Sequence, residues 1–293
     1  MTSRRIFVGR AILPAAGLLA GVLFSFAAAP QRIVSVSPVV TEILYGVGAF
    51  DKVVAVTEYC TYPPEAKALP KVGGWATPSV EKVAGFHPDL VAFSEAQTPF
   101  LAKQLQQLGI RVVLAPSQTI QDAFTAIAAL GQATGHVRQA AELAARTRTA
   151  LDTVRMRAAR LLRPTVLIIV DRTPGALRDM YAAQPGSFLA ELVEIAGGKV
   201  VAAPSGAGYG KISAENVLAA NPDIILDILQ STNAGNAEAA WRELPELNAV
   251  RRSAVYTVRD DFVTHDSQRI AQTAVLFAKL LHSEVPPREW EGH

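Results

Sequence analysis

The sequence predicts an α/β protein with two lobes, each built on a parallel sheet, that are joined by one long backbone helix. Two observations predict this architecture. Short apolar strands alternate with helices along the chain, which is typical of parallel α/β organisation, and one series of motifs occurs twice, before and after a long amphipathic segment. Two similar halves place a cleft between them, and α/β proteins usually bind ligands in such clefts. We therefore expect a ligand cleft between the lobes.

Residues 1–29 are predicted to be a signal peptide. They carry three arginines at positions 4, 5 and 10, continue with an apolar stretch over 11–26, and end in three alanines that offer a cleavage site. The alternative is a retained membrane anchor, for which the apolar stretch is short. Arg4 and Arg5 also resemble the pair in a twin-arginine export signal. We therefore expect cleavage and export to the periplasm, with the twin-arginine pathway as a candidate route.

Composition excludes several classes of protein. The formal net charge is +2, and loss of the three leader arginines leaves about −1, with no basic patch of the kind that binds nucleic acid. Cys60 is the only cysteine, so no internal disulfide can form. Half of the residues are hydrophobic, which predicts a sizeable core. We expect a soluble monomer of the periplasm.

The amino-terminal lobe is predicted to span residues 30–134. Pro38 opens its first helix and Gly46 and Gly48 close it, while Ser79 caps the second helix because a serine oxygen accepts from first-turn amides. A loop over 58–75 lies between the second strand and Ser79. The dipeptide Pro88-Asp89 turns the chain into the third strand. The predicted strands are 32–37, 53–57, 90–93 and 112–115, and the predicted helices are 40–45, 79–85, 100–108 and 120–134.

The long amphipathic segment, residues 136–162 of a connecting region at 135–163, is predicted to be one helix. Its apolar residues recur at alternating steps of three and four, which lays a stripe along one helix face. Pro164 stops it. At about 1.5 Å per residue this helix would be roughly 40 Å long. We interpret it as a stiff spacer between the lobes, and the alternative is a surface helix of one domain.

The carboxyl-terminal lobe is predicted to span residues 164–293. The apolar run at 166–170 is typical of a strand covered on both faces. Gly197 and Gly198 end a helix, and Ser213 caps the next one. Loops are expected before Tyr209 and over 259–266. The predicted strands are 166–170, 200–201, 224–229 and 255–258, and the predicted helices are 187–196, one beginning at 213, and 267–281.

The repeated motifs link the two lobes. A serine, a glutamate and a Pro-Asp pair follow one another with identical spacing in both halves, and a glutamate followed by glycines and a Lys-Val-Val strand precedes each set. Common capping and turn chemistry explains each fragment alone, but not two fragments in the same order. The matched segments are Ser79-x-Glu81 with Pro88-Asp89 against Ser213-x-Glu215 with Pro222-Asp223, and Glu42 to Val54 against Glu191 to Val201.

Short motifs of one protein family occur between residue 32 and about residue 281. They are Ser37-Pro38 with Thr41-Glu42, Tyr62-Pro63-Pro64-Glu65, Glu81 with Pro88-Asp89-Leu90-Val91, Gly186-Ser187-Phe188-Leu189, and Ser213-x-Glu215 with Pro222-Asp223. On these motifs the chain resembles the substrate-binding proteins of ABC importers for chelated metals, whose cargoes are vitamin B12, haem and iron siderophores. The resemblance implies two α/β lobes, one backbone helix and an ABC permease dimer in the inner membrane as partner.

Within that family, residues 59–81 are most similar to the cobalamin-binding branch. The resemblance implies that aromatic side chains line the cleft, that Phe93 or Ser94 occupies another cleft position, and that an acid lies near the ligand. Rigid aromatics suit a flat corrin because they lose little side-chain freedom on binding. The implied ligand-binding residues are Tyr59, Tyr62, Trp75, Phe93, Ser94, Tyr209, Asp261, Phe262 and His265.

The same resemblance implies one exposed acid on each lobe, Glu81 on the first and Glu215 on the second, and each would pair with arginines of the permease. Two like acids on like lobes suit a permease dimer with two-fold symmetry. The alternative is a solvated first-turn acid that is stabilised by the helix dipole and needs no partner.

Other cargoes remain open. Haem would use Tyr59, Tyr62 or His265 as iron ligands, since a phenolate and an imidazole both bind iron. Receptors for ferric siderophores usually have basic residues in the cleft. Arg172 and Arg178 are candidates, although we expect both to be exposed to water. Relatives have Gly-Pro-Arg where this chain has Ser267-Gln268-Arg269, which makes the loop shape there a point to test.

No enzymatic function is predicted. The chain lacks the serine elbow, P-loop and His-Glu-x-x-His motifs, so an exported enzyme is the least favoured alternative. Cys60 has no histidine near it in sequence and is interpreted as a semi-buried thiol. The five histidines are scattered, which disfavours a bare zinc or manganese site. We expect no catalytic residues, no resident metal and no cofactor of its own; the expected cargo is a cobalt corrinoid, or alternatively haem or a ferric siderophore.

Overall fold

The structure, a computed structural model, describes residues 29–201, 207–228 and 237–290. The predicted signal peptide therefore lies outside the described residues, apart from Ala29. Within the described ranges, no helix combines the length and the apolar character that crossing a membrane would need.

The amino-terminal lobe is a four-stranded parallel sheet in which every predicted strand and helix is present, with ends shifted by one or two residues at most. Pro38 is the first residue of its helix, a position where the missing N–H of proline has no partner to lose. The elements are β1 Ile33–Ser35, α1 Pro38–Gly46, β2 Val53–Val56, α2 Val80–Gly85, β3 Leu90–Ser94, α3 Thr98–Gln107, β4 Val112–Ala115 and α4 Ile120–Thr134. The strand order is β2-β1-β3-β4.

The predicted long helix is present as α5, Val137–Ala158, with 22 residues. Gly135 ends α4 in the left-handed conformation, with φ of 78°, which lets α5 turn back along it. The helix is about 33 Å long at 1.5 Å per residue, shorter than predicted, because it ends four residues before Leu162, and Leu162 is almost fully exposed. It packs against α4 of the amino-terminal lobe and, further along the chain, against the helices Phe188–Ile195 and Ile270–Leu281 of the carboxyl-terminal lobe.

The carboxyl-terminal lobe contains a six-stranded sheet. Its elements are β5 Thr165–Asp171, β6 Tyr181–Ala183, α6 Phe188–Ile195, β7 Lys199–Val200, β8 Tyr209–Lys211, α7 Ala214–Ala220, β9 Ile224–Ile228, α8 Ala237–Trp241, α9 Asn248–Arg251, β10 Val255–Val258 and α10 Ile270–Leu281. The strand order is β10-β9-β5-β6-β8, and β7 pairs with the first residues of β5.

This second sheet is mixed: the predicted strands are parallel, and two short strands that were not predicted add antiparallel pairs. Strands β10, β9, β5 and β7 are parallel as predicted, but β6 runs antiparallel to both β5 and β8. Because β6 and β8 have only three residues each, neither gives a periodic signal in the sequence. The fold class, α/β with parallel-sheet lobes, is confirmed.

The repeated motifs have the same structural role in both lobes. Asp89 accepts hydrogen bonds from the backbone N–H groups of Gln31 and Arg32, just before β1. Asp223 accepts from the backbone N–H of Thr165, the first residue of β5. In each half, therefore, the Pro-Asp pair fixes the start of the lobe's first strand. The order β2-β1-β3-β4 recurs as β7-β5-β9-β10.

One buried apolar cluster joins the lobes. It contains side chains of α1 and α4 from the first lobe, α6 and α10 from the second, and the buried stripe of α5 between them. Each lobe also has a smaller cluster on the other face of its sheet. Because the shared cluster runs along α5, this helix ties the lobes together by packing as well as by chain connection.

Candidate ligand-binding site

A cavity of about 680 Å³ lies between the lobes, within the range of roughly 300–1,000 Å³ that small-molecule sites occupy. The first lobe lines it with the start of α1 and the chain that follows β2, β3 and β4. The second lobe lines it with the start of α6, with β8, the end of β9 and the loop after β10. These are the carboxyl ends of parallel strands, where α/β folds place ligands.

The structure brings most of the predicted ligand residues together in this cavity. Those that line it are Tyr59, Trp75, Ser94, Tyr209, Asp261 and His265. Within the described chain, no group of three or more His, Cys, Asp or Glu side chains could hold a metal ion by itself.

Three predicted residues do not line the cavity. Phe93 is fully buried among apolar side chains on the other face of the sheet, while its neighbour Ser94 reaches the cavity. Tyr62 and Phe262 lie on either side of the guanidinium of Arg269, at 4.4 Å and 4.8 Å from the two ring centroids. They hold that arginine in place instead of facing the cavity.

The loop that carries Trp75 is shaped by two glycines. Gly73 has φ of 114°, and a Cβ there would lie 2.7 Å from the backbone oxygen of Thr77, so a larger residue does not fit. Gln97 donates to the backbone oxygen of Trp75 at 2.8 Å and fixes the end of the loop. The half-buried Trp75 ring packs edge-on against Phe100, with centroids 6.4 Å apart. The indole is therefore positioned before any ligand arrives.

Tyr209 lies on β8 between Gly208 and Gly210, at the cavity wall of the second lobe. Burial of its hydroxyl raises its pKa, and the nearby Asp266 carboxyl adds to this, while a hydrogen bond with Ser187 opposes it. The phenol therefore stays neutral at physiological pH and presents an apolar ring with a hydrogen-bonding tip.

Asp261 connects the two lobes at the cavity edge. Thr61 of the first lobe donates to its carboxylate at 2.7 Å, and Arg269 lies 3.6 Å from the other carboxylate oxygen. Burial opposes its ionisation, but the hydrogen bond from Thr61 and the charges of Arg269 and His265 outweigh burial and lower its pKa. Asp261 is thus a fixed negative charge.

A buried carboxylate, Glu42 on α1, lies behind this edge. Its side chain is 1% exposed and accepts from His265 Nδ1 and Arg269 Nη1, each at 2.9 Å, and from the hydroxyl of Ser267. Gln268 also donates to its backbone oxygen at 2.8 Å. All four partners belong to the second lobe. The Ser267-Gln268-Arg269 sequence, which departs from the Gly-Pro-Arg of relatives, therefore supplies three contacts that hold the lobes together.

Several cavity residues were not predicted from the sequence. Phe188, the first residue of α6, and Arg259 line the cavity, as do two buried polar side chains, Ser37 and Asp266. The Gly186-Ser187-Phe188-Leu189 motif and the position of Asp266 beside His265 were the available signals. The remaining cavity-lining residues are Pro38, Val39, Glu58, Thr61, Ala96, Ser117, Ile228, Asp260 and Thr264.

Other candidate residues lie away from the cavity. Glu81 and Glu215 are exposed in the first turns of α2 and α7, and the hydroxyl that caps each helix accepts from a backbone N–H at 3.2 Å. Arg172 is buried against Asp227 at 2.8 Å, which corrects the expectation that it lies in water, whereas Arg178 is exposed. Cys60 is buried, and burial raises the pKa of its thiol. Because only the thiolate is reactive, this cysteine is chemically inert.

Comparison with known proteins identifies the family. The family described as periplasmic binding protein matches residues 33–262. The uncharacterized ABC transporter substrate-binding lipoprotein YvrC of Bacillus subtilis (strain 168) is 31% identical over 264 residues, 87% of this chain and 81% of the relative. The vitamin B12-binding protein of Yersinia pestis (strain Pestoides F) is 29% identical over 280 residues, 95% of this chain and 96% of the relative. The structure of the periplasmic heme-binding protein RhuT from Roseiflexus sp. RS-1 matches with a TM-score of 0.75 and 25% identity, over 86% of this chain and 99% of that one. This chain belongs to the periplasmic binding protein family.

Proposed function

We propose that the protein captures cobalamin or a related corrinoid in the periplasm and delivers it to an ABC importer. One observation carries the proposal: aromatic side chains of both lobes, Tyr59 and Trp75 from the first and Phe188 and Tyr209 from the second, line the same cavity. A corrin is a broad and mostly apolar plate. Rigid rings hold such a plate with little loss of side-chain freedom, at about 0.5–1.5 kcal/mol per ring pair beyond area burial.

The polar edge of the cavity supports the same cargo. Corrinoids carry amide groups around the ring, and these need hydrogen-bond donors and acceptors at the rim of a site. Asp261, Arg259 and His265 lie together on the loop after β10 and offer both kinds of group. The Yersinia relative, which is named a vitamin B12-binding protein, supports the proposal independently.

Titration of the purified mature protein with cyanocobalamin, cobinamide and hemin, followed by absorbance and calorimetry, tests the proposal. We expect saturable binding of at least one corrinoid with one site per protein. Hemin binding without any corrinoid heat would replace the proposed cargo by haem. Chemical turnover of any of the three would instead reopen the exported-enzyme alternative.

Tyr209→Ala and Tyr181→Ala make a matched pair for this titration. The two tyrosines lie on the neighbouring strands β8 and β6 and are 38% and 39% exposed, but only Tyr209 lines the cavity. We expect Tyr209→Ala to weaken corrinoid binding by roughly tenfold or more, since a ring contact is lost together with its buried area. Tyr181→Ala should bind as the wild type does.

Haem is the second candidate, and one observation favours it. Nδ1 of His265 contacts the Glu42 carboxylate, which leaves Nε2 as the nitrogen available to a metal. Imidazoles that bind metals commonly have such a carboxylate on the other ring nitrogen. Tyr59 is 61% exposed beside the cavity and is a second candidate iron ligand. Tyr62 is not a candidate, because its ring packs against the guanidinium of Arg269. The identity to RhuT, a heme-binding protein, supports this alternative. If haem is the cargo, His265→Ala or Tyr59→Phe should change the hemin absorbance spectrum.

We further propose that Glu81 and Glu215 dock the two lobes onto a permease dimer in the inner membrane. Their equivalent positions in the repeat and their exposure support this role. The basic and apolar leader over 1–29 supports export to the periplasm.

A further inference from the structure

Two buried polar atoms in the cavity have no hydrogen-bond partner within the described part of the chain. They are Oγ of Ser37, 1% exposed, and Oδ2 of Asp266, 3% exposed. Both residues line the cavity, Ser37 from the first lobe and Asp266 from the second. A buried polar group without a partner is costly, because it has lost its hydrogen bonds to water and gained none in return. Two such groups facing one cavity from opposite lobes indicate that a ligand satisfies them.

Ser37 is at the N-cap of α1 but does not act as a cap. Its hydroxyl makes no hydrogen bond to the first turn, and Pro38 has no N–H to offer. The backbone N–H groups of Val39 and Val40 have no partner within the helix, because the first N–H groups of any helix lack one. Val39 lines the cavity beside Ser37, so the start of α1 adds a backbone N–H donor at the cavity wall.

Asp266 lies at the cavity wall of the second lobe, close to the phenol of Tyr209. A carboxyl group accepts hydrogen bonds whether or not it is ionised, and a serine hydroxyl both donates and accepts. Together the two side chains can therefore bind an N–H and a C=O group of a ligand.

We propose that Asp266 and Ser37 are ligand-binding residues that determine specificity for the amide groups at the edge of a corrinoid. The inference rests on the proposed function and deepens it. A primary amide offers N–H donors to the Asp266 carboxyl group and a carbonyl oxygen to the Ser37 hydroxyl, whereas an ionised carboxylate at the edge of a ligand offers no donor.

Calorimetric titrations with cyanocobalamin, cobinamide and hemin test the proposal. Asp266→Ala should bind corrinoids about tenfold more weakly than the wild type, and Ser37→Ala about threefold more weakly. Hemin has carboxylates at its edge in place of amides, so its affinity should change less in both variants. Asp152→Ala, at an exposed aspartate of α5 outside the cavity, is the control and should behave as the wild type.

The outcomes separate the two proposals. Wild-type protein that binds no corrinoid overturns the proposed function, and this inference with it. If the wild type binds a corrinoid, full corrinoid affinity in both Asp266→Ala and Ser37→Ala overturns this inference alone. A loss of hemin affinity as large as the loss of corrinoid affinity in these variants rejects specificity for amides. Circular dichroism confirms that each variant is folded.

Discussion

At the level of single residues, Glu42 is the group on which the contact between the lobes depends most. It lies on α1 in the first lobe, yet its carboxylate is bound by His265, Ser267 and Arg269 of the second lobe. More than 220 residues separate it from these partners along the chain. Removing the charge from one member of a buried ion pair leaves the other member desolvated without a partner.

Glu42→Gln should therefore destabilise the protein by about 3 kcal/mol, because Arg269, whose side chain is only 12% exposed, loses its closest carboxylate. Unfolding in urea, with the free energy extrapolated to water, measures the loss. Glu142→Gln is the control: it breaks a Glu–Arg pair of similar length, 2.8 Å, that is exposed on α5, and should cost about 0.5 kcal/mol or less. Equal losses in the two variants would contradict the role of Glu42.

Asp266 gives a second prediction at this scale, for the protein without ligand. Burial raises its pKa to about 7 in the folded chain, whereas an unfolded aspartate ionises near 4. Between these values the folded state holds a proton that the unfolded state releases. The stability that Asp266 contributes is therefore full below about pH 4 and is lost as the pH rises to about 7.

Asp266→Asn has no such titration, so its stability relative to the wild type should rise by roughly 1 kcal/mol per pH unit between pH 5 and pH 7 and level off above. Thermal unfolding of both proteins in a series of buffers measures the difference. Other titrating carboxylates, such as Asp223 and Asp261, are common to both proteins and cancel. Two parallel curves would show that Asp266 is ionised throughout.

Which residues reach the cavity could be predicted only in part. Tyr59, Trp75 and Tyr209 stand in loops or beside glycines, a context that separates cavity aromatics from core ones. Phe93 and Ser94 could not be separated, because every residue of β3 is buried, and a strand buried on both faces has no polar alternation to fix its register. The partners of Glu42 and the burial of Asp266 depend on contacts between distant segments, which no local pattern records.

At the level of elements, helices α4 and α5 cross in close contact. Gly131 of α4 lies directly against Ala140 of α5, so that a Cβ at Gly131 would overlap the Ala140 methyl group. Small residues on both helices allow the tight turn at Gly135. Through this crossing the first lobe is held to the helix that continues into the second.

Gly131→Ala should therefore destabilise the protein although alanine is the better helix former. Overpacking costs about 1–3 kcal/mol, more than the gain of about 1 kcal/mol in helix propensity. Gly85, at the end of α2, is the control, since a Cβ there would meet no atom within 4 Å. Gly85→Ala should be neutral or slightly stabilising in the same urea experiment. Stabilisation by Gly131→Ala would mean that α4 and α5 separate at little cost.

Elements were predicted well where they are long or carry strong end signals. The capping residues Ser79 and Ser213 are seen in their predicted role. The Pro-Asp pairs precede β3 and β9 as predicted, and their carboxylates also hold the starts of β1 and β5, which was not predicted. Short elements were missed: β6 and β8 have three residues each, and α9 has four. Such segments are held by their neighbours in the fold, so their own sequence carries little signal.

At the level of the whole molecule, hydrogen bonds between the lobes flank the cavity. Besides the Glu42 contacts, the Ile120 N–H donates to the Glu191 carboxylate at 2.9 Å, and the Phe188 N–H donates to the backbone oxygen of Gln118 at 2.8 Å. The backbone helix α5 contains neither glycine nor proline. A wide hinge motion would break these contacts and bend this helix, so the geometry favours small closure around a ligand.

A nearly rigid pair of lobes would present Glu81 and Glu215 to a permease at a fixed separation, which is what recognition of a two-fold symmetric partner needs. Exposed ion pairs are individually weak, about 0–1 kcal/mol, so the two acids would set the orientation of docking more than its strength. The charge-reversed double variant Glu81→Lys with Glu215→Lys should thus abolish transport in cells or reconstituted vesicles while corrinoid affinity stays unchanged. Glu65→Lys with Glu243→Lys, which also reverses one exposed acid on each lobe, is the matched control and should transport normally. A loss of corrinoid affinity that parallels the loss of transport would place the defect in the cavity and reject the docking role.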